Sequence, residues 1–305
     1  MDVALQVLVS GLAAGAVYGL VGVGHSLVYR LTGVVHFAFG ELIALAVFAT
    51  LFLAAGTSPV TQTSVGGGRF LVALAGGLAV AAAASAGSYW FAVQPYQLRG
   101  STIGWVGASL AIAFALRTLI VAVFDRPSYV LPDPLPFRDV GDEGFWHVGG
   151  ATIQVRSLFV IAVALALAGA AAWTLARTRF GRALEAIASD VEGAAIVGLP
   201  VSRLVGLAFA LAGAVAGLAA VVAAPSGSFD VDTAALFGLK GLAAAVVVRF
   251  ALWRAFAAGV GLGLLEAAIA NLGWAGPSYR EVVPLGLALA LLAARALRQP
   301  EGAAE

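Results

Sequence analysis

The sequence predicts an all-α, polytopic transmembrane helix bundle of about eight or nine hydrophobic segments, with inverted repeats and broken or re-entrant helices. Three observations predict it. Of the 305 residues, 61% are hydrophobic and only 11% charged, and the mean hydropathy is +0.99; a soluble domain carries roughly 25% charged residues, so this chain lacks the polar surface to face water. Apolar runs near the ~20 residues needed to cross a hydrocarbon core recur along the whole chain. Two of these regions share one pattern: a small-residue helix, a polar interruption, Phe-Gly with a charge close behind, and a second apolar helix.

Taken in order, the expected spans are 3–24, 37–56, 70–94, 102–124, 157–176, 204–224, 235–249, 256–272 and 281–298. The first has no basic residues before it and is longer than a signal-peptide core, so it reads as a retained span. The 235–249 stretch is short enough to be a half-helix. Two connections are long. Residues 125–156 carry Pro127, Pro132, Pro134 and Pro136, and residues 177–203 read as short helix, turn, short helix. No linker divides the chain, so 1–305 reads as one membrane domain.

Basic residues concentrate on the cytoplasmic side of membrane proteins. With 177–203 inside, that side collects Arg30, Arg99, Arg177, Arg179, Arg182, Arg203, Arg249, Arg254, Arg295 and Arg298, ten residues against five (Arg69, Arg126, Arg138, Arg156 and Arg280). The expected topology therefore has the N-terminus and the loop 125–156 outside and the C-terminus inside. The net charge of +1 argues against a nucleic-acid footprint. The absence of cysteine excludes disulfides and thiolate metal sites.

The two similar regions are 11–48 and 209–247. Five spans separate their starts, so they are expected to lie in the membrane with opposite topology. Interrupted helices in inverted repeats are a transporter signature, because broken backbone is tolerated only where it lines a cavity or is buried in protein. Gly11, Gly15 and Gly19 recur every fourth residue, and Gly213 and Gly217 keep that spacing in the second region; such faces allow close helix approach. Glu41 follows Phe39-Gly40, and Lys240 follows Phe237-Gly238, at matching places. Arg117 and Glu266 also fall inside apolar spans. A charge at the bilayer centre costs roughly 2.5–3.5 kcal/mol on insertion scales, so Glu41 and Lys240 are expected to face the interior, paired with each other or satisfied by other buried polar groups, with direct contact to substrate as the alternative, while Glu266 could lie near a helix end. The candidate pathway or repeat core is His36, Phe39, Gly40, Glu41, Phe237, Gly238 and Lys240. The histidines are His25, His36 and His147, with no metal-binding pattern, and neither a nucleophile elbow nor a P-loop occurs. No cofactor is expected, and the chain cannot bind ATP in the P-loop manner.

The run GLVGVGHSLVYRLTGVVHFAFGELIAL, residues 19–45, resembles the N-terminal region of the Liv-type permeases of branched-chain amino acid ABC importers. The runs at 177–220 and 237–247 resemble their main cytoplasmic loop, the helix after it, and the stretch after the second broken helix. The likeness covers most of the chain in order and spacing, and is closer to the LivH-like than to the LivM-like kind. It departs at His36-Phe37-Ala38-Phe39-Gly40-Glu41, where relatives usually read Asn-Phe-Ala-His-Gly-Glu, and at Val248–Arg254, where they carry a glycine-rich turn. The resemblance implies a second permease subunit, two ABC ATPase subunits, an external substrate-binding protein and a lipid bilayer as partners, in the plasma membrane. On physical grounds the loop 177–203 suits docking to an ATPase: Arg177, Arg179, Arg182, Glu185, Asp190 and Glu192 form a charged rim around the small apolar knob Gly193, Ala194, Ala195, Ile196, Val197, Gly198, Leu199 and Pro200. Leucine-like amino acids, other amino acids, amides and urea are all compatible as substrates. The alternatives are an ion-coupled secondary transporter, which would need no docking loop, and a membrane enzyme using Glu41, Glu266 or a histidine, which the lack of a second carboxylate or metal cluster disfavours.

Overall fold

The computed structural model describes residues 2–56, 65–97, 102–124, 128–132, 145–148, 151–272 and isolated positions between 279 and 290. The expected span 281–298 and much of the loop 125–156 thus fall largely outside the described residues. The elements are α1 (Asp2–Thr32), α2 (Phe39–Ala55), α3 (Gly67–Ser88), which runs through a π turn at Tyr89–Val93 into α4 (Gln94–Gln97), α5 (Thr102–Val123), β1 (Phe145–Val148), β2 (Ala151–Gln154), α6 (Val155–Arg177), α7 (Arg179–Ser189), α8 (Val191–Ile196), α9 (Val201–Ala223), α10 (Val231–Val247) and α11 (Leu252–Ala270). Every expected span before residue 273 coincides with a helix. Among the described residues six helices are long and apolar enough to cross a membrane, and α2 is a shorter apolar helix.

Helix α1 is the hub. It packs against α6, α9, α10 and α11, and Leu20 and Val21 at its centre are fully buried. Glycine explains its closest partnership. A Cβ at Gly15 would lie 2.7 Å from the Cα of Val260, and the backbone of Gly15 in turn fills the place where Gly263 would carry a side chain. Small residues that bring backbones together are the main device of helix association in lipid, where no hydrophobic difference drives it. The Gly11, Gly15, Gly19 face is thus spent on α11. In the second region Gly213 meets Ser85 of α3 and Gly217 meets Ala46 of α2.

The helical part of the first region is longer than expected. Helix α1 continues through His25 and Ser26 to Thr32, and the break comes only at residues 33–38. The polar side chains that suggested an earlier interruption are satisfied without one. Ser26 Oγ donates to Gly22 O one turn back (2.8 Å), and His25 Nε2 donates across to Gly238 O (3.2 Å). In the second region α9 ends in a 3₁₀ turn at Ala224–Ser226 and the chain breaks before α10. There Asp230 caps α10, its Oδ1 accepting from Thr233 N (2.6 Å), and Phe229 pairs with Tyr129 through two backbone hydrogen bonds (2.7 and 2.9 Å). Part of the loop after α5 thereby ties itself to the second break.

The hairpin β1–β2 is antiparallel, with Phe145 opposite Gln154, and the helix-only reading did not foresee it. It leads directly into α6, where buried Arg156 donates to Val222 O from two nitrogens (2.9 and 3.2 Å). Beyond α10, Arg249 and Phe250 adopt φ of 57° and 56°. Non-glycine residues rarely take this left-handed conformation. Phe250 compensates by stacking on Tyr29 of α1, with ring centroids 3.8 Å apart and planes 13° apart.

Candidate functional site: the crossing of the broken helices

The two regions interlock, with α1 and α2 each packed against both α9 and α10. Where α2 crosses α10 the two backbones themselves are in contact. A Cβ on Gly40 would lie 2.8 Å from Ala235 Cα, and one on Gly238 would lie 2.7 Å from Gly40 Cα. Neither contact can relax by a side-chain rotation, since both involve backbone. Gly238 lies near the middle of the 17-residue α10, about 10 Å from its start at 1.5 Å per residue.

The segment that enters this crossing, residues 33–38, is non-helical and turns alternate side chains inward: Val34, His36 and Ala38 are buried, while Phe37 is exposed. Non-helical backbone at membrane depth is tolerated where it is buried in protein or lines a cavity. Beside it lies a cavity of about 110 Å³, bordered by His25, His36, Phe37, Phe39, Gly40, Glu41, Ala235, Gly238, Leu239 and Leu242. Phe37 and Leu239 are exposed, at 42% and 48%, so the cavity borders the outer face of the chain. His36 is 1% exposed, touches Phe209 edge-on, and has no hydrogen-bond partner on either ring nitrogen. Phe39 is packed beneath His25, with ring centroids 4.5 Å apart. Glu41, in the first turn of α2, is half-buried. Of the expected pathway residues, His36, Phe39, Gly40, Glu41 and Gly238 border this one cavity. Phe237 points away from it, into edge contacts with Tyr18 and Phe229.

Lys240 does not pair with Glu41. Its ammonium donates to both carboxylate oxygens of Glu266 (2.9 and 3.0 Å) and to Tyr18 Oη (3.2 Å), and it lies 4.9 Å from the Tyr18 ring centroid. The matching places in the sequence are not matching places in the helices. Asp230 starts α10 early, so Lys240 is deep in that helix. The N-cap of α2 is Ala38, which provides no side-chain cap, so Glu41 remains in the first turn. Glu266, expected as an incidental helix-end residue, is buried in α11 and is the counter-ion. Arg117 pairs instead with Asp232, through a half-exposed contact. Among the described residues no group of acidic or histidine side chains could hold a metal ion.

The second candidate region, between α6 and α9, folds as two short helices. Thr178 caps α7 by accepting from Gly181 N (3.1 Å), and Asp190 caps α8 by accepting from Gly193 N (2.9 Å). Gly181, Leu184 and Ile187 turn inward from α7. The expected knob needs correction in two respects. Ala194 is buried and faces its own chain, and Glu185 is engaged by Arg30 at the end of α1 (3.0 Å). The exposed apolar tip is Ile196 and Val197, 86% and 77% exposed, with exposed Ala195, Gly198 and Pro200 beside them and Arg182, Asp190 and Glu192 around them. Ile196 and Val197 belong to the apolar knob read from the sequence; the structure makes them, rather than the glycine and alanine residues before them, its most exposed apolar part.

Broken helices interlocked at glycines, intramembrane charges paired across three helices, and a capped helical loop outside the bundle define a multi-pass membrane protein of transporter architecture. The chain matches the family described as branched-chain amino acid transport system / permease component over residues 7–292, and it belongs to that family. It is 26% identical over 295 residues to the high-affinity branched-chain amino acid transport system permease protein BraD of Pseudomonas aeruginosa, an alignment covering 94% of this chain and 92% of the relative. It is 24% identical over 297 residues to the corresponding permease protein LivH of Escherichia coli, with the same coverage. The LivH protein of Salmonella typhimurium is 23% identical over 297 residues.

Proposed function

We propose that this chain is a permease subunit of an ABC importer in the plasma membrane, forming the transmembrane pathway for branched-chain or other amino acids. Separate ATPase subunits drive it, a second permease subunit completes the pathway, and an external binding protein delivers the substrate. The arginine asymmetry supports an outside N-terminus and an inside C-terminus. The observation that carries the reading is the α7–α8 loop. Its exposed tip, Ile196 and Val197, is apolar within a charged rim, the form a short helix needs to seat in a partner's groove. The sequence carries no P-loop pattern, and in this reading energy arrives by contact with a partner.

The same loop is connected to the cavity. Helix α7 packs against α1, with Leu27, Leu31 and Leu184 in one hydrophobic cluster and the Arg30–Glu185 bridge beside them. Tyr29, next to Arg30 in α1, is stacked on Phe250 in the turn between α10 and α11. A movement of α7 imposed by a partner therefore acts on the helix that precedes the first break and on the turn that follows α10. In this reading it opens and closes the space at the Gly40–Gly238 crossing.

The test is Ile196→Asp with Val197→Asp, and separately Ala195→Trp, in the chain co-expressed with its ATPase subunits. Burying one large aliphatic side chain is worth about 1.5–3 kcal/mol, and 1.4 kcal/mol is tenfold in affinity. The double aspartate variant is expected to lose ATPase association at least tenfold and with it substrate-stimulated ATP hydrolysis. Because the residues are exposed, insertion and thermal stability of the chain itself are expected to stay unchanged. Unchanged association and hydrolysis in both variants would contradict the coupling role.

A further inference from the structure

We infer that the cavity at the Gly40–Gly238 crossing is a subsite for the zwitterionic head of an α-amino acid, with the carboxylate held by His36 and the start of α2 and the ammonium held by Glu41. This rests on the transport reading above and assigns it residues.

Three features of the cavity converge. The first is His36, which is 1% exposed and borders the cavity with both ring nitrogens unpartnered. Buried polar groups are almost always hydrogen-bonded, and exceptions in a native structure call for a functional explanation. A neutral imidazole offers one N–H donor and one acceptor. The second is the start of α2 at Phe39. The first N–H groups of a helix have no intrahelical acceptor, Ala38 gives them no side-chain cap, and the positive end of the helix dipole favours an anion. The third is Glu41, a half-buried carboxylate in the same turn, with no ion-pair partner among the described residues. Lys240, the cation at the matching place in the second region, is committed to Glu266.

The cavity thus offers donors for an anionic group and, beside them, an unpaired carboxylate for a cationic one. A zwitterion satisfies both; a simple amine would leave the donors unused, a simple carboxylate would meet Glu41 with like charge, and a neutral amide would neutralise neither. The size agrees. At about 110 Å³ the cavity exceeds several-fold the ~10–15 Å³ that one water needs on the same measure, so it has room for a small polar head group. The side chain has apolar surface to lie on, since Phe37, Leu239 and Leu242 border the same cavity and the first two are exposed.

The experiment uses the full chain in lipid nanodiscs and measures ligand binding by saturation-transfer NMR. The probes share one aliphatic skeleton: leucine (zwitterion), 3-methylbutylamine (cation only), 4-methylpentanoate (anion only) and 4-methylpentanamide (neutral). In the wild-type chain leucine is expected to bind saturably, and at least tenfold more tightly than each of the other three. In Glu41→Gln the preference of leucine over 4-methylpentanoate is expected to fall at least tenfold, and Glu41→Asp is expected to restore part of it. The probe series on the wild-type chain stands even if a variant does not fold. Absence of saturable leucine binding, equal binding of leucine and any single-charge probe, or an unchanged preference in a folded Glu41→Gln chain would each overturn the assignment. ATP-driven uptake by the assembled importer, measured in parallel, separates this failure from failure of the transport reading: uptake without the zwitterion preference sinks only the subsite.

Discussion

Lys240 shows what a buried charge demands of its neighbours. Its Nζ is held between two oxygens of Glu266 and the Tyr18 hydroxyl, and its side chain is 3% exposed. The pair binds α10 to α11 and, through Tyr18, to α1. Replacing one partner of a buried pair leaves the other charge uncompensated, at a cost of about 3–5 kcal/mol, whereas replacing both with apolar residues of similar size is often neutral. Lys240→Met and Glu266→Leu are each expected to lower the thermal unfolding midpoint of the purified chain strongly, and the double variant is expected to recover most of the loss. Strictly additive losses would show that the two do not interact. The sequence made Lys240 conspicuous as the sole lysine but offered the wrong partner. Glu41 matches it in the repeat pattern, whereas Glu266 is distant in pattern and near in space. Nothing in local spacing encodes that α11 folds back beside α10 with Glu266 at the depth of Lys240. His36 was legible as an interior residue; that its ring nitrogens are unpartnered follows from tertiary packing alone.

At the scale of elements, the apolar runs were readable because a lipid-facing helix must be apolar over its whole length, and each expected span up to residue 272 is a helix. Helix ends were less legible. Helix α1 runs eight residues past its expected end, since Ser26 and His25 are satisfied by backbone carbonyls, and α10 begins at its Asp230 cap before the apolar run does. The hairpin β1–β2 escaped notice because four-residue strands carry too few alternations to stand out. Glycine spacing announced close approach but not with whom. The crossing of α2 and α10 can be tested directly. Gly40→Leu would force a side chain into the backbone of Ala235, and overpacking costs about 1–3 kcal/mol even where neighbours can move. It is expected to abolish recovery of monodisperse protein on size-exclusion chromatography. Gly107→Leu, on α5 where nothing lies within 4 Å, is expected to be tolerated. Equal recovery of the two would mean that the helices do not cross at Gly40.

For the whole molecule, the central claim is that substrate moves at the crossing of two broken helices while energy enters some distance away, through a loop that the chain holds out for a partner. In the proposed function the parts act as one mechanical series: the Ile196–Val197 tip, helix α7, the Arg30–Glu185 bridge to the end of α1, then the break at 33–38 and the cavity beside Glu41. A secondary transporter could use the same broken helices and intramembrane charges, but it would have no use for the exposed tip. The most direct measurement is uptake of radiolabelled leucine into proteoliposomes containing this chain, with and without its partner permease, ATPase and binding-protein subunits. The account predicts accumulation only with the full set and ATP, and none by the chain alone under an imposed proton or sodium gradient. Gradient-driven uptake by the chain alone, unaffected by ATPases or ATP, would contradict it.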